Sequence, residues 1–421
     1  MIKQLFNTKN IDGLLVFLVL LISSRASVIA NADSTLFITL FINLYVMVRR
    51  NIKIDKPFIV VVIAFLLLVL QNYYQNDGDI SLLRYVKLFS IISIAYFTIK
   101  IIGFSFFSYY NTFMYAAILC SLPFYLWQVL STDSLHSFGT ALSNIFPGLV
   151  DNLPSSQNIL FHTIEFVDKY RNSGPMWEPG GFATMIVLAI YFEFLKNKFT
   201  INKRVLVYFF GVLITFSTTG YLLCMILMFV YLINMIRTKS PRRRFSLYLL
   251  VIPGFLMATV AVFFSSDLMF SKIQFLYNDQ MTKVEDMEHV ESLGLDAKFS
   301  LGRFGSLLVD LRSMQENLFF GRGYDDDHFR HGNFESFNLT NGLSNYTARL
   351  GILGFIWLLI SLNKSGRLLV FALSGSVGKN NILILIVPLI AFSNPVLFTP
   401  LYLLLSFLFI PFKPTNTQPI E

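Results

Sequence analysis

The stretch RNSGPMWEPGGFATM, Arg171 to Met185, places charged, aromatic and helix-starting residues in that order at the mouth of an apolar run. Pro179 suits the first position of a helix, where its missing N–H is not needed and its φ is already helical. Glu178 then takes the cap, and Trp177 suits the headgroup layer of a bilayer. The order reads as the outer mouth of a membrane helix, with free N–H groups and the positive dipole end facing outward. Gly180 and Gly181 let another group approach the backbone closely. Arg171, seven residues before the cap, reaches the same spot. Together these residues make an anion site with a carboxylate beside it. The plainer alternative is an Arg171–Glu178 ion pair that staples loop to helix.

Composition agrees with a membrane helix here. Of the 421 residues, 55% are hydrophobic and only 14% charged, with mean hydropathy +0.61. A soluble domain carries about 25% charged residues, so the deficit points to a polytopic membrane protein. The net charge of +8 sits in short loops between apolar runs, the positive-inside pattern, and not in a stripe that would bind nucleic acid. Cys120 and Cys224 both lie inside apolar runs and read as small core hydrophobes. Lys3 and Lys9 before Leu14 to Ile22, with Ala30-Asn31-Ala32 beyond, imitate a signal peptide; the segment is read as the first membrane helix.

The fold class expected is all-α, a polytopic membrane protein of about 12 transmembrane helices with two long outer loops. Apolar stretches long enough to suggest spans fall at 11–31, 34–48, 57–71, 82–99, 106–130, 178–195, 202–217, 219–236, 245–264, 343–360, 381–393 and 400–412. The 32 residues from Val205 to Ile236 are too long for one crossing and short for two. A single crossing would push RTKSPRRR outside, so the reading is two helices turning at STTG, Ser217 to Gly220. The resulting organisation is helices 1–5 over 1–130, a first outer loop over 131–177, helices 6–9 over 178–264, a large outer loop over 265–342 with amphipathic helix, and helices 10–12 over 343–421. Lys and Arg around Arg49 to Lys56, Lys196 to Arg204, Arg237 to Arg244 and Lys364 to Lys379 place both termini in the cytoplasm. Loops this long usually carry function.

In SLGRFGSLLVDLRSMQENLFFGRGY, Leu307, Leu308, Leu311, Met314 and Leu318 recur at helical spacing. Arg303 starts this amphipathic helix, and GRGY, Gly321 to Tyr324, breaks it. An arginine between glycines favours forked contact to phosphate. DDDHFRHG, Asp325 to Gly332, invites a metal reading, but a run of acids satisfies almost any metal pattern by chance, and no metal is assigned. His331 in that run is a candidate proton acceptor. Arg25, Arg84, Lys87 and Arg349 lie toward the outer ends of apolar runs. Charges there are costly and often functional. A ring of cations near the outer leaflet suits a lipid-linked diphosphate, and snorkelling to headgroups is the alternative.

These motifs together resemble the O-antigen polymerase and ligase superfamily of bacterial envelopes. RNSGPMWEPGGFA resembles the R-x-x-G-x-x-x-E-P element of Wzy-type polymerases. STTG sits where that family has its short Ser-Arg-Gly-type turn, and GRFGSLLVDLRSMQENLFFGRGY resembles its Arg-led helix ending in a G-x-G-[YF] turn. TNGLSNYTARLGILGF, Thr340 to Phe355, resembles its H-N-x-x-L…G-x-x-G helix start. The resemblance runs from about Arg171 to Phe355; the first half agrees in topology only.

The resemblance implies a glycosyltransferase-C-like membrane enzyme without a cofactor. A glycan on undecaprenyl diphosphate is the donor, and a sugar hydroxyl of the next lipid-linked unit attacks its anomeric carbon. The leaving group is a stable anion, so cations must hold it and a base must take the hydroxyl proton. Arg171 and Arg303 are assigned to the diphosphate, with Arg84 or Arg349 as helpers. Glu178 or His331 is the base, and Tyr324, Asn341 and Asn345 position substrate. The helix N-terminus and Arg171 are expected to keep Glu178 ionised and to lower its basicity. Ligases carry a histidine where this chain has Thr340, which argues for a polymerase. The partners expected are undecaprenyl-diphosphate-linked oligosaccharides, membrane lipids and, from the family, a chain-length regulator protein; the site should face the periplasm from the bacterial inner membrane. The competing readings are a ligase that transfers glycan to a lipid A core and a flippase for lipid-linked sugars; the chain shows no internal repeat of the transporter kind.

Overall fold

In the computed structural model the described residues are 8–75, 80–146, 150–152, 156–166, 168–237, 282, 303–315, 317–324, 340–375 and 381–412. The chain is mostly helical. The helices are α1 (Thr8–Ser24), α2 (Val28–Asn31), α3 (Asp33–Arg49), α4 (Lys56–Gln75), α5 (Leu82–Ile102), α6 (Ser105–Leu130), α7 (Thr132–Ile145), α8 (Pro179–Lys196), α9 (Lys203–Leu213), α10 (Thr218–Arg237), α11 (Arg303–Ser313), α12 (Gly342–Ser374), α13 (Leu383–Ser393) and α14 (Pro400–Phe407). Six of them, α4, α5, α6, α8, α10 and α12, are long and apolar enough to cross a membrane. The outward face of α4 is apolar, with Val60, Leu66 and Leu67 exposed by about 60%, as suits a helix in lipid.

The expected stretches coincide with helices, apart from 245–264, which lies outside the described residues. Their lengths differ. The first stretch is broken after Ser24, where Arg25 takes a left-handed φ of 53° and the short α2 follows. The turn expected at Ser217–Gly220 falls slightly earlier, between Leu213 and Thr218. The tenth span continues well beyond residue 360. Lys364 and Arg367, read as loop cations, lie within α12, and Lys364 Nζ sits 5.3 Å from the Phe409 ring centre. Cys120 is exposed and Cys224 buried, and both are free.

At the centre stands α8, whose side chains from Pro179 to Leu195 are all buried. Tyr110 OH donates to the Met185 carbonyl (2.8 Å) and Tyr208 OH to the Asn111 carbonyl (2.7 Å), tying α6, α8 and α9 together. Buried Glu193 accepts from Asn111, Asn197 and Asn202 at 2.7–2.8 Å. Apolar burial between membrane helices gains little over lipid, so packing and polar links of this kind, each worth roughly 0.6–2 kcal/mol, fix the arrangement.

The segment read as the first outer loop is a small subdomain, and it adds the one sheet among the described residues to an otherwise helical fold. It contains α7 and an antiparallel three-stranded sheet, β1 (Asp151–Asn152), β2 (Ser156–Asn158) and β3 (Thr163–Glu165), in the order β1-β2-β3. Leu135, Val150, Ile159 and Ile164 form its own core against Phe124 and Trp127 of α6. His162 is fully buried and Nε2 lies 2.8 Å from Gln128 Oε1. Burial holds its pKa down to about 3, so the ring is neutral, and the glutamine oxygen fixes the proton on Nε2.

Candidate functional site

Glu178 caps α8 from an extended backbone, φ −155° and ψ 158°, as the sequence suggests, but its side chain makes no cap hydrogen bond. The carboxylate turns back over Gly180, where an added Cβ would stand 3.1 Å from Oε1 and 3.8 Å from Ser217 Oγ. A glycine leaves that space open. Burial is the largest influence on Glu178 and pushes its pKa up; Arg303 and then Arg171 pull it down, and Glu165 adds an upward push. The lowered basicity expected at the helix N-terminus is therefore reversed: lost hydration outweighs the cations.

Arg171 and Arg303 approach this carboxylate from separate parts of the chain. Arg171 Nε donates to the Thr215 carbonyl (3.4 Å) and lies 3.9 Å from Asp168 Oδ2. The backbone beside it is fixed by Asn172 N–H on the Ile214 carbonyl (2.9 Å). The turn between α9 and α10 thus serves as the seat for Arg171. The stapling ion pair with Glu178 is not formed; Asp168 takes that place. Arg303 begins α11, and its Nε donates to the Ser393 carbonyl (3.1 Å). Burial lowers its pKa while Glu178 raises it. Each guanidinium is thus held by its Nε to a backbone carbonyl, and among the described residues neither terminal fork makes a hydrogen bond. Two guanidinium groups and one half-buried carboxylate thus bring charges of both signs to one place, the kind of arrangement common at functional sites.

The sequence reading missed the residues at the middle of this site. At the end of α13 and just beyond it, Ser393, Asn394 and Pro395 each engage a different ionised side chain. The Ser393 carbonyl accepts from Arg303, and its Oγ lies 2.6 Å from Thr219 Oγ1 in the first turn of α10. Asn394, with its amide nitrogen facing the two oxygens, donates to the Ser393 carbonyl and to Glu178 Oε1. The Pro395 carbonyl accepts from Arg25 Nη1 (3.0 Å). The signal was present in FSNPVLFTP, Phe392 to Pro400, where polar residues and two prolines interrupt an apolar run. Glu165 was also missed; it accepts from Ser173 Oγ (2.6 Å), and burial raises its pKa.

Asn341 caps α12, with Oδ1 accepting from Leu343 N–H and Ser344 N–H (3.1 Å each), while Nδ2 donates to the Arg303 carbonyl (3.3 Å). It therefore aligns α11 with α12. Ser344 Oγ bonds Asp310 Oδ2 (2.5 Å), and Asp310 Oδ1 lies 3.5 Å from Arg322 Nη2 in a buried pair. The amphipathic helix expected here is α11: Gly305, Ser306 and Asp310 pack inward, whereas Leu311, and Leu318 just beyond the helix, are about half exposed.

The GRGY turn has a use that its sequence did not reveal. Within α12, Gly351 leaves the helix at φ 67°, ψ −175°, and residues 318–323 dock into the gap. Arg322 N–H and Gly323 N–H donate to the carbonyls of Ala348 (2.9 Å) and Arg349 (3.1 Å); Ile352 N–H and Leu353 N–H donate to those of Leu318 (2.9 Å) and Phe319 (3.3 Å). Backbone groups freed by the break are thereby satisfied. Gly321 and Gly351 both hold positive φ, and a Cβ on either would meet the other segment's backbone. Arg349 clamps the junction. Its Nε donates to Asn345 Oδ1 (2.5 Å), its Nη1 to the Tyr324 carbonyl (2.9 Å), and its guanidinium sits 4.9 Å from the Tyr324 ring centre and 5.8 Å from that of Phe398. Arg25 is in electrostatic reach of Arg349 and Tyr324. Arg84 stands in the first turn of α5, next to Tyr85, whose ring meets that of Tyr324. Lys87 pairs with Asp33 (2.8 Å).

His331, with the rest of Asp325 to Gly332, lies outside the described residues, while Thr340 donates its N–H to Ser306 Oγ (3.1 Å). Compared with family models, curated proteins and solved structures, the chain matches none.

Proposed function

We propose that the chain is a membrane glycosyltransferase that polymerises undecaprenyl-diphosphate-linked oligosaccharide units into an O-antigen or capsule-type polysaccharide. The observation that carries this reading is the meeting of Arg171 and Arg303, from two distant parts of the chain, at the half-buried Glu178 carboxylate. Arg171 and Arg303 hold the donor diphosphate with their terminal forks. A sugar hydroxyl of the next lipid-linked unit attacks the anomeric carbon, whose bond to the diphosphate oxygen breaks. The hydroxyl proton passes to Glu178, and undecaprenyl diphosphate departs with the bonding electron pair. A carboxylate made more basic by burial suits the proton transfer, and cations fixed beforehand suit the developing charge. Asn394 orients Glu178. Asn341 sets the position of Arg303, and Tyr324 and Asn345 act through Arg349. Arg84 remains a helper at the edge of the second cluster, and His331 is the alternative base. The site faces the periplasm from the bacterial inner membrane, with both termini in the cytoplasm; a chain-length regulator is the protein partner.

The test is purified protein with lipid-linked repeat units in vesicles. A ladder of lengthened glycans is the expected product. A single transfer made only when a lipid A core is supplied would mean a ligase. Movement of lipid between leaflets at constant glycan length would mean a flippase.

A further inference from the structure

A cleft of about 600 Å³ opens on the outer subdomain, lined by Thr132, Asp133, His136, Phe166, Asp168, Lys169 and Tyr170. Its size falls in the ordinary range for small-ligand sites, roughly 300–1,000 Å³. Two features separate it from a surface dimple. First, it is prearranged. Buried Gln157 places Oε1 3.1 Å from His136 Nδ1, and the His136 ring stands edge-on to Phe166 at 4.9 Å. Tyr125 OH donates to the Tyr170 carbonyl (3.0 Å) and Gln128 Nε2 to that of Lys169 (2.8 Å). Second, it leaves aromatic rings in water beside carboxylates: Phe166 and Tyr170 are 37% and 55% exposed. Rings that offer an apolar face, with carboxylates that accept paired hydroxyls, match a pyranose, which has apolar C–H faces and a polar rim.

The cleft also continues into the site described above. Asp168 on its wall lies 3.9 Å from Arg171 Nε, and the same Gln128 amide that holds Lys169 donates to the Arg171 carbonyl (3.2 Å). We infer that this cleft is a saccharide subsite, which holds sugar rings of a lipid-linked unit while Arg171 holds its diphosphate. The inference rests on the proposed function for the identity of the glycan, but the sugar contact can be tested without turnover.

The probe is the oligosaccharide released by mild acid from the lipid-linked pool of the native cell, added to full-length protein in nanodiscs and followed by saturation-transfer NMR. Saturation transfer to the sugar C–H protons is expected in wild type and in Arg171→Ala. Tyr170→Ala and Asp133→Asn should each weaken binding by roughly tenfold, the order of one stacking or charged hydrogen-bond contact. In elongation assays the same two variants should raise KM for the lipid-linked unit with little change in kcat. Wild-type protein that elongates but gives no transfer signal, or binding untouched by both cleft variants, overturns the subsite and leaves the proposed function standing. Cleft-dependent sugar binding without elongation would support the subsite and remove the polymerase reading.

Discussion

Two cation clusters flank Ser393-Asn394-Pro395, and they are built in opposite ways. Around Glu178, Arg171 and Arg303 are each anchored by Nε to a backbone carbonyl, and among the described residues their forks make no hydrogen bond. On the other side, Arg349 spends its donors on Asn345 and Tyr324 and its faces on two aromatic rings. The sequence reading assigns Arg171 and Arg303 to the diphosphate and offers Arg349 as a helper. What separates them is how many of their five donors the protein itself consumes. An arginine held at one point can grip a ligand; an arginine held at several holds a junction together.

The largest effect that would break this contrast concerns the proton. Glu178→Gln keeps the shape and most hydrogen bonding but removes the base, so single-step elongation should fall at least ~100-fold in protein of unchanged thermal stability. Near-normal turnover in that variant beside an inactive His331→Ala would move the role to His331. The next effect is structural. Arg349→Ala removes two hydrogen bonds, one short, and two ring contacts, and should destabilise the fold by about 2–4 kcal/mol, read as lowered thermal stability in detergent. Gly351→Ala, which sets a Cβ against the Phe319 carbonyl, should share that loss. Equal stability of Arg349→Ala and wild type would dissolve the distinction between the clusters.

A smaller effect sharpens the electrostatics. Glu165 pushes the Glu178 pKa up, so Glu165→Gln removes a like charge and lets that pKa fall. The base is active when ionised, so the acidic limb of the elongation rate profile should move to lower pH. A limb that stays in place, or moves up, would show that Glu178 is not the group titrating there.

Much of this architecture was legible from Arg171 to Phe355. Pro179 after Glu178 fixed the start of α8, because proline suits only that position of a helix. The two-helix reading of Val205 to Ile236 followed from charge placement against bilayer thickness. What remained hidden depended on contacts between distant segments. No local pattern announces that Gly351 opens α12 to receive residues 318–323, because a glycine in an apolar helix looks the same whether or not another backbone docks there. The seat of Arg303 on Ser393 was invisible for the same reason: its partner lies 90 residues away. Periodicity found α11 as an amphipathic helix, but not that Gly305, Ser306 and Asp310 are its inward side, because their partners come from α12 and the residues just before it. The sheet within residues 151–165 was missed because its strands are only two or three residues long.

The most direct measurement is the affinity of undecaprenyl diphosphate for wild-type protein, Arg171→Ala, Arg303→Ala and Arg349→Ala, each checked for folding, in nanodiscs. Loss of one forked arginine contact to phosphate is worth roughly 1.5–3 kcal/mol, so Kd should rise at least about tenfold for Arg171→Ala and Arg303→Ala. Lysine at either position should restore little of it. Arg349→Ala, at a temperature where it stays folded, should bind as wild type does. Unchanged affinity in both Arg171→Ala and Arg303→Ala, or a loss confined to Arg349→Ala, would contradict the placement of the diphosphate beside Glu178.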